Sequence, residues 1–436
     1  MRNKRTIRKR LPAASVLLAL LVTTLAANGQ EVKNAAPRWN FTLTKQAKRP
    51  SVRFGKLFRA DFRANFQTDW RGFEPEESSK EPLFELHRAR VGVEGEFLKH
   101  FEYEVEYELG NTSRPLRDVF VNVKRIRWLQ FKGGKFKIPF SLNQLQGPSK
   151  LDFIYRSGIG ALLAPGRNVG GEVHGRLLGR RLNYEFGVFR HDGEISYINH
   201  DTEATGGVTY AARLTGTPLQ DLPLPAVTRS FQLGGAFTSS DVSEGMKGMR
   251  GRTAGRETFF PGPGARMFVN GQRRRLGAEM LWTPGPFSVK GEFIEVREER
   301  KGQSIRGLDL PDLISRGWYL SGTWLVTGQK YSQRDDPAKH FIFGRGIGAV
   351  ELAVRAEQLR FAGAGTPGTP PSRSTRGANV LAQSNRAWTF GVNWYMNRWI
   401  KTQANVIREK LEDVQRSPVP GKARLWTWVV RVQYVL

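Results

Sequence analysis

Cysteine is absent from the 436 residues. That absence removes disulfide scaffolds, thiolate metal centres, iron–sulfur clusters and cysteine nucleophiles. Histidine is nearly as scarce. The six (His87, His100, His174, His191, His200 and His340) stand at no spacing that would turn two of them toward one metal ion, so no metal or other cofactor is expected. Long apolar runs are missing after the first thirty residues, which leaves no helix there able to cross a bilayer. Acid is also short: 40 Asp and Glu stand against 68 Lys and Arg, for a net charge of +28. Such a surplus calls for an anionic partner.

What is present begins with an export signal. Arg2, Lys4, Arg5, Arg8, Lys9 and Arg10 precede an apolar run from Leu11 to Ala27, and the small residues Ala26, Ala27 and Gly29 suit a peptidase cut between Ala26 and Gln30. A signal over residues 1–29 is therefore expected, with an uncleaved anchor helix as the alternative. Removing its six cations from +28 leaves +22 on the mature chain. Residues 30–54 are basic and unpatterned, and read as a periplasmic extension.

From residue 55 to 436 the hydrophobic period is two. In Phe101-Glu102-Tyr103-Glu104-Val105-Glu106-Tyr107-Glu108-Leu109 every second residue is apolar and each intervening one is Glu. A helix would scatter those glutamates around its circumference, whereas a strand collects them on one face. The alternation recurs in Phe58, Ala60, Phe62, Ala64 and Phe66, in Trp318, Leu320, Gly322 and Trp324, and in Trp426, Trp428, Val430, Val432 and Tyr434. Sixteen such segments begin near 56, 83, 100, 116, 127, 168, 181, 207, 229, 272, 286, 316, 340, 386, 398 and 422, joined by short and long connections in turn.

Sixteen half-apolar strands cannot all pack inward on one another as a soluble sandwich would need. The pattern predicts an all-β chain, a transmembrane antiparallel barrel with short periplasmic turns and long extracellular loops, its apolar faces toward lipid. At this strand number a barrel leaves an aqueous channel. The other face then lines the lumen. It offers Leu86, Arg88, Arg90, Gly92, Glu94 and Glu96 on the second strand, the glutamates 102, 104, 106 and 108 on the third, and Arg59, Arg63, Lys124, Lys132, Arg355, Lys401 and Arg431 elsewhere. Lysine and arginine in a narrow pore favour anions. The competing reading is that these cations only brace the wall against the glutamates, as in a general non-selective diffusion porin. A long loop over residues 140–166, carrying Lys150 and Arg156, is a candidate for a constriction inside the channel.

Several stretches resemble the phosphate-selective porin O and P family of Gram-negative outer membranes. They are Leu86 to Gly95, Gly134 to Leu142, Leu163 to Gly170, Gly285 to Ser288, Gly391 to Asn397 and Val430 to Tyr434, in the family's order. The resemblance implies a homotrimeric sixteen-stranded channel in the outer membrane, in contact with the lipid bilayer and lipopolysaccharide. Cations at its constriction would strip water from small anions such as phosphate or its polymers. On this basis the anion-binding or pore-lining set is Arg88, Arg90, Lys124, Lys132, Lys135, Lys137, Lys150, Arg156, Arg167 and Arg355. Two departures from the family's pattern stand out. His87-Arg88 replaces a pair of arginines, and Asn143-Gln144 stands where a selective member places lysine.

Enzymatic and nucleic-acid readings are set aside. His191-Asp192 and His200-Asp201 fall in one long loop, where polarity alone accounts for them, and no Ser, His and acid set can be assembled. The basic run from Gly245 to Arg252, with Arg256, would be the best nucleic-acid patch, but export argues for other polyanions.

Overall fold

A computed structural model describes residues 39–43, 49–110, 115–192, 207–261, 267–304, 307–337, 341, 346–362 and 381–436. The signal expected over 1–29, much of the extension over 30–54, and His200, Asp201 and His340 lie outside those residues.

Sixteen strands form the wall. They are β1 (Phe58–Glu74), β2 (Phe84–Phe97), β3 (Phe101–Glu108), β4 (Leu116–Ile126), β5 (Leu129–Lys137), β6 (Arg167–Leu177), β7 (Leu182–Phe189) and β8 (Thr209–Gly216), followed by β9 (Gln232–Lys247), β10 (Phe268–Trp282), β11 (Phe287–Arg300), β12 (Leu310–Leu325), β13 (Ala349–Ala362), β14 (Gln383–Tyr395), β15 (Ile400–Leu411) and β16 (Arg424–Val435). Each pairs antiparallel with its sequence neighbours, and β16 returns to β1 with Trp426 opposite Glu74 and Val435 opposite Asn65. Closure leaves no free edge. β1 overhangs the end of β16, and its lower residues pair instead with Pro50–Phe54, Ser51 opposite Asp61 and Phe54 opposite Phe58. The last residues of the basic stretch are thus a strand rather than unpatterned chain, because the backbone of β1 needs partners there.

Alternation sorts the two faces as the period requires. Trp318, Leu320, Trp324, Trp388, Phe390, Val392, Trp428, Val430, Val432 and Tyr434 are exposed on the outer wall, while Gln403, Asn405, Thr427, Arg431 and Gln433 are buried on the inner one. Two positions break the expected order. On β2, Gln67 of β1 stands opposite Arg88 but Thr68 stands opposite Leu86, so His87 is an extra residue. A single insertion swaps the faces of everything beyond it. Leu86, expected in the lumen, is accordingly 59% exposed on the outer wall. Lys135, expected in the pore, also faces outward. It stands opposite Val119 and Val169, and its Nζ donates to the Leu116 carbonyl at 2.8 Å. Lys135 lies four residues from Phe131, which is exposed on the outer wall, and shares its face.

The lumen also holds an apolar core. Residues 138–166 and 248–261 fold into the barrel, where Phe140, Ile159, Leu163, Met249, Phe259 and Phe260 pack on inward-facing Ile294, Val296, Leu313, Leu359, Phe361, Leu411 and Leu425. Phe260 stacks on Phe361 with ring centroids 4.3 Å apart. Gly317 on β12 makes room for this packing: a Cβ there would stand 2.6 Å from Ile159 Cγ2 and 2.3 Å from the Gln358 carbonyl oxygen.

Candidate functional site

The segment 138–166 is tied to the wall by hydrogen bonds from both partners. Ser141 Oγ donates to Glu292 at 2.6 Å, and the Gly158 amide donates to Glu357 at 2.7 Å. The Ile154 amide donates to Asn405 Oδ1 at 2.7 Å. In return, Arg275 Nε donates to the Leu163 carbonyl at 2.7 Å, Lys401 Nζ to the Leu151 carbonyl at 2.7 Å and Arg431 to the Ile154 carbonyl at 3.1 Å. Asp152 is the deepest anchor. Lys290 donates to it at 2.6 Å, Tyr331 Oη at 3.0 Å, and Arg334 from the β12–β13 connection completes the set. Burial works to raise the Asp152 carboxyl, but Lys290 and Arg334 hold it well below the usual carboxylate range.

On the long-loop side of this segment lies a cavity of about 480 Å³ with eight arginines in its lining: Arg88, Arg117, Arg156, Arg167, Arg252, Arg256, Arg355 and Arg431. Glu357 and Glu409 are the carboxylates in the same lining, of which Glu357 meets Arg355 at 3.2 Å, while Arg167, Arg256 and Arg88 reach Asp118, Glu81 and Glu108 beyond it at 2.6, 3.3 and 3.9 Å. Arg88 donates to Gln67 Oε1 at 2.6 Å, and Arg431 Nε donates to Asp69 at 2.6 Å. Arg156 donates from Nη2 to the Gln146 carbonyl at 2.7 Å, while its Nη1 is buried without a hydrogen-bond partner among the described residues. Burial, then the like charges of Arg167 and Arg90, push the Arg156 guanidinium down to about 10. A cation crowded by cations, with a donor to spare, is arranged to meet an anion.

A second cavity of about 240 Å³ shares Pro148 and Arg167 with the first. Its lining is mixed: Arg63, Lys132, Lys137 and Arg167 against Glu104, Glu106, Asp118, Glu172 and Glu185. The glutamate row of β3 is largely neutralised from neighbouring strands. Arg63 contacts Glu94 at 3.0 Å and also bonds Glu104, and Arg90 lies 3.1 Å from Glu106 and 2.5 Å from Glu108. Lys124 lies between Glu96 at 3.2 Å and Glu102 at 2.7 Å.

The ten cations singled out from sequence are therefore scattered among several roles. Arg88, Arg156, Arg167 and Arg355 share the first cavity, and Lys132, Lys137 and Arg167 share the second. Lys137 spends its donors on the carbonyls of Gln144, Leu145 and Gln146 at 2.8–3.1 Å, so it supports the inserted segment. Arg90 and Lys124 belong to the Arg/Glu ladder, Lys150 is exposed on the turn Pro148–Lys150 and lines neither cavity, and Lys135 is outside the barrel. Arg117, Arg252 and Arg256 were not in that set. Arg252 and Arg256 belong to the basic run noted in the sequence, which folds in through the hairpin of Gly251–Arg252 and Thr258–Phe260. Arg117 carried no periodic signal, because a register shift on β4 between the partners of Val105 and Tyr107 interrupts the alternation there. Asp192, beside His191, has a structural place: Arg275 Nη2 donates to it at 2.8 Å, Ser240 Oγ at 2.9 Å, and Arg273 also bonds it.

The profile of the family described as phosphate-selective porin O and P matches residues 58–436. Porin O of Pseudomonas aeruginosa is 23% identical over 162 residues, a match covering 36% of this chain and 34% of that protein. Among solved structures, the outer membrane channel DcaP of Acinetobacter baumannii superposes with a TM-score of 0.55 at 9% identity, over 87% of this chain and 97% of that one. The anion-selective porin from Comamonas acidovorans gives 0.51 at 10% identity, over 86% and 99%. The trimer form of OmpT from Vibrio cholerae gives 0.53 at 11%, over 87% and 100%. At these identities the structures establish a shared porin fold.

Proposed function

This chain belongs to the phosphate-selective porin O and P family, and from that premise we propose that it is an outer-membrane diffusion channel favouring small anions, phosphate and its short polymers among them. The observation that carries the proposal is the first cavity, with eight arginines to two carboxylates around about 480 Å³. Walls of low dielectric confine the field of those guanidiniums, so an anion is concentrated there and a cation is repelled. Arg156, with its spare buried Nη1, gives the anion a charge-assisted donor that replaces part of its hydration. The wall glutamates hold neighbouring cations in place and keep binding weak enough for release. Passage would run from this vestibule past Pro148 and Arg167, which both cavities share. We read the assembly as a homotrimer, the form in which OmpT of Vibrio cholerae has been solved, exported through a signal cut between Ala26 and Gln30.

The mixed lining of the second cavity, four cations to five carboxylates, favours a second reading: a general porin with little charge preference. A planar bilayer under a potassium chloride gradient separates the two. An anion-selective reversal potential, with chloride current blocked as phosphate is titrated in, supports the anion channel. A reversal potential near zero without block assigns the general porin.

A further inference from the structure

The outer wall carries a charge pattern that the channel does not use. On β10 to β16, near the ends that lead to the long loops, Arg274, Arg297, Arg316, Arg360, Arg386, Lys410 and Arg424 face outward and are exposed. The ladder sets them against one another: Arg274 opposite Arg297, Arg316 opposite Arg360, Arg386 opposite Lys410, and Lys410 opposite Arg424. Like charges directly opposed on one face of a sheet are destabilising. Three carboxylates on these strands share this face: Glu295, Glu299 and Asp312. Glu299 is held by Lys301 at 2.8 Å, and Glu295 stands opposite Arg316. None of the seven cations lies within 4.0 Å of a carboxylate among the described residues.

The level of this belt identifies what neutralises it. Trp318, Trp388 and Trp426 share its face two residues further from the long loops than Arg316, Arg386 and Arg424, or about 7 Å deeper. Tryptophan on a lipid-facing wall marks the membrane interface, so the cations stand at headgroup height. The other rim of the same strands shows the contrast. Trp282, Phe287, Trp324, Trp394 and Tyr434 face outward there, with no Lys or Arg among the outward strand positions. Guanidinium groups match phosphate with paired donors. We infer that the outer wall of β10–β16 is a docking surface for the phosphorylated headgroups of glycolipid in the outer leaflet. This inference does not rest on the anion-channel reading.

The test uses the purified full-length protein in detergent and native mass spectrometry, with diphosphoryl lipid A, dephosphorylated lipid A and inorganic phosphate as probes. The variant R316Q/R360Q/R386Q/K410Q removes four charges from the outer wall and none from the lumen. Diphosphoryl lipid A should bind the unaltered protein, lose roughly fivefold in affinity for each charge removed, and resist competition by inorganic phosphate. The variant should keep its conductance and reversal potential, which certifies its fold, and R156Q should bind lipid A as the parent does. Three results would overturn the inference: equal binding of both lipids, equal binding by parent and variant, or displacement by inorganic phosphate at matched concentration. A variant that changes subunit number while its monomer still binds lipid A would assign the belt to a subunit interface instead.

Discussion

Arg90 and Arg156 carry the same charge in the same lumen, yet they differ in their partners. Arg90 is enclosed by Glu106 and Glu108, so Arg90→Gln strands buried carboxylates and should cost about 3–5 kcal/mol. A drop in the temperature at which the folded band is lost on heated gels measures it. Arg156 has like charges around it and a spare Nη1, so Arg156→Gln should leave that temperature unchanged. It should instead lower the chloride-to-potassium permeability ratio by roughly two- to fivefold, the effect of one charge at close range in partly aqueous surroundings. A variant with an unaltered ratio would remove Arg156 from the conduction path. The pH dependence has a definite sign. Because the folded value is lowered to about 10, the charge is present at neutral pH and disappears as pH rises through that value. Anion preference should fall there in the parent by more than in Arg156→Gln, whose remaining decline reports the lysines. This distinction between two arginines was not legible in the sequence, since it depends on which carboxylates the neighbouring strands bring within 4 Å.

At the scale of elements, strands were legible wherever one face met lipid. Phe101 to Leu109 alternates without a fault, and β3 occupies Phe101–Glu108. The pattern failed where a face met something else. Leu310 begins β12 six residues before the expected start at 316, because Pro311 and Asp312 lie beyond the aromatic alternation. Ile294, Val296, Leu313 and Leu359 are apolar on the inner side, since inserted loops cover them, and no period announces a loop that returns into its own barrel. The anchor of that loop is equally non-local: Asp152 meets Lys290 and Arg334 across 138 and 182 residues. Asp152→Ala leaves Lys290 buried and without its carboxylate, while Arg334 keeps Glu351 at 3.2 Å, a cost of about 3–5 kcal/mol. The tip of the segment should then leave the wall, seen as larger and noisier single-channel currents; unchanged current steps would mean that other bonds suffice. The acid response follows from the sign of the shift. A depressed carboxyl contributes stability above its unfolded value of about 4 and loses it only as pH falls through the lower folded value. Currents of the parent should therefore stay quiet down to pH of about 4.

For the whole molecule, charge is distributed by region rather than merely in excess. Composition alone leaves the place of the surplus open, and the barrel separates it into a basic vestibule, a nearly balanced second chamber and a basic outer belt. If the vestibule sets selectivity, its field must act over the width of the entry, which mobile ions screen. The Debye length is about 10 Å at 0.1 M salt and about 3 Å at 1 M. The vestibule's arginines reach an ion in mid-channel at the first concentration and largely lose it at the second. The chloride-to-potassium permeability ratio, taken from reversal potentials at a fixed gradient, should therefore decline steadily across that range. A channel governed by direct contact at a narrow ring would hold its ratio, because screening ions cannot enter between an arginine and the anion it touches. A flat ratio would thus move selectivity from the vestibule to the junction at Pro148 and Arg167, whereas a falling one places it in the arginines around the larger cavity.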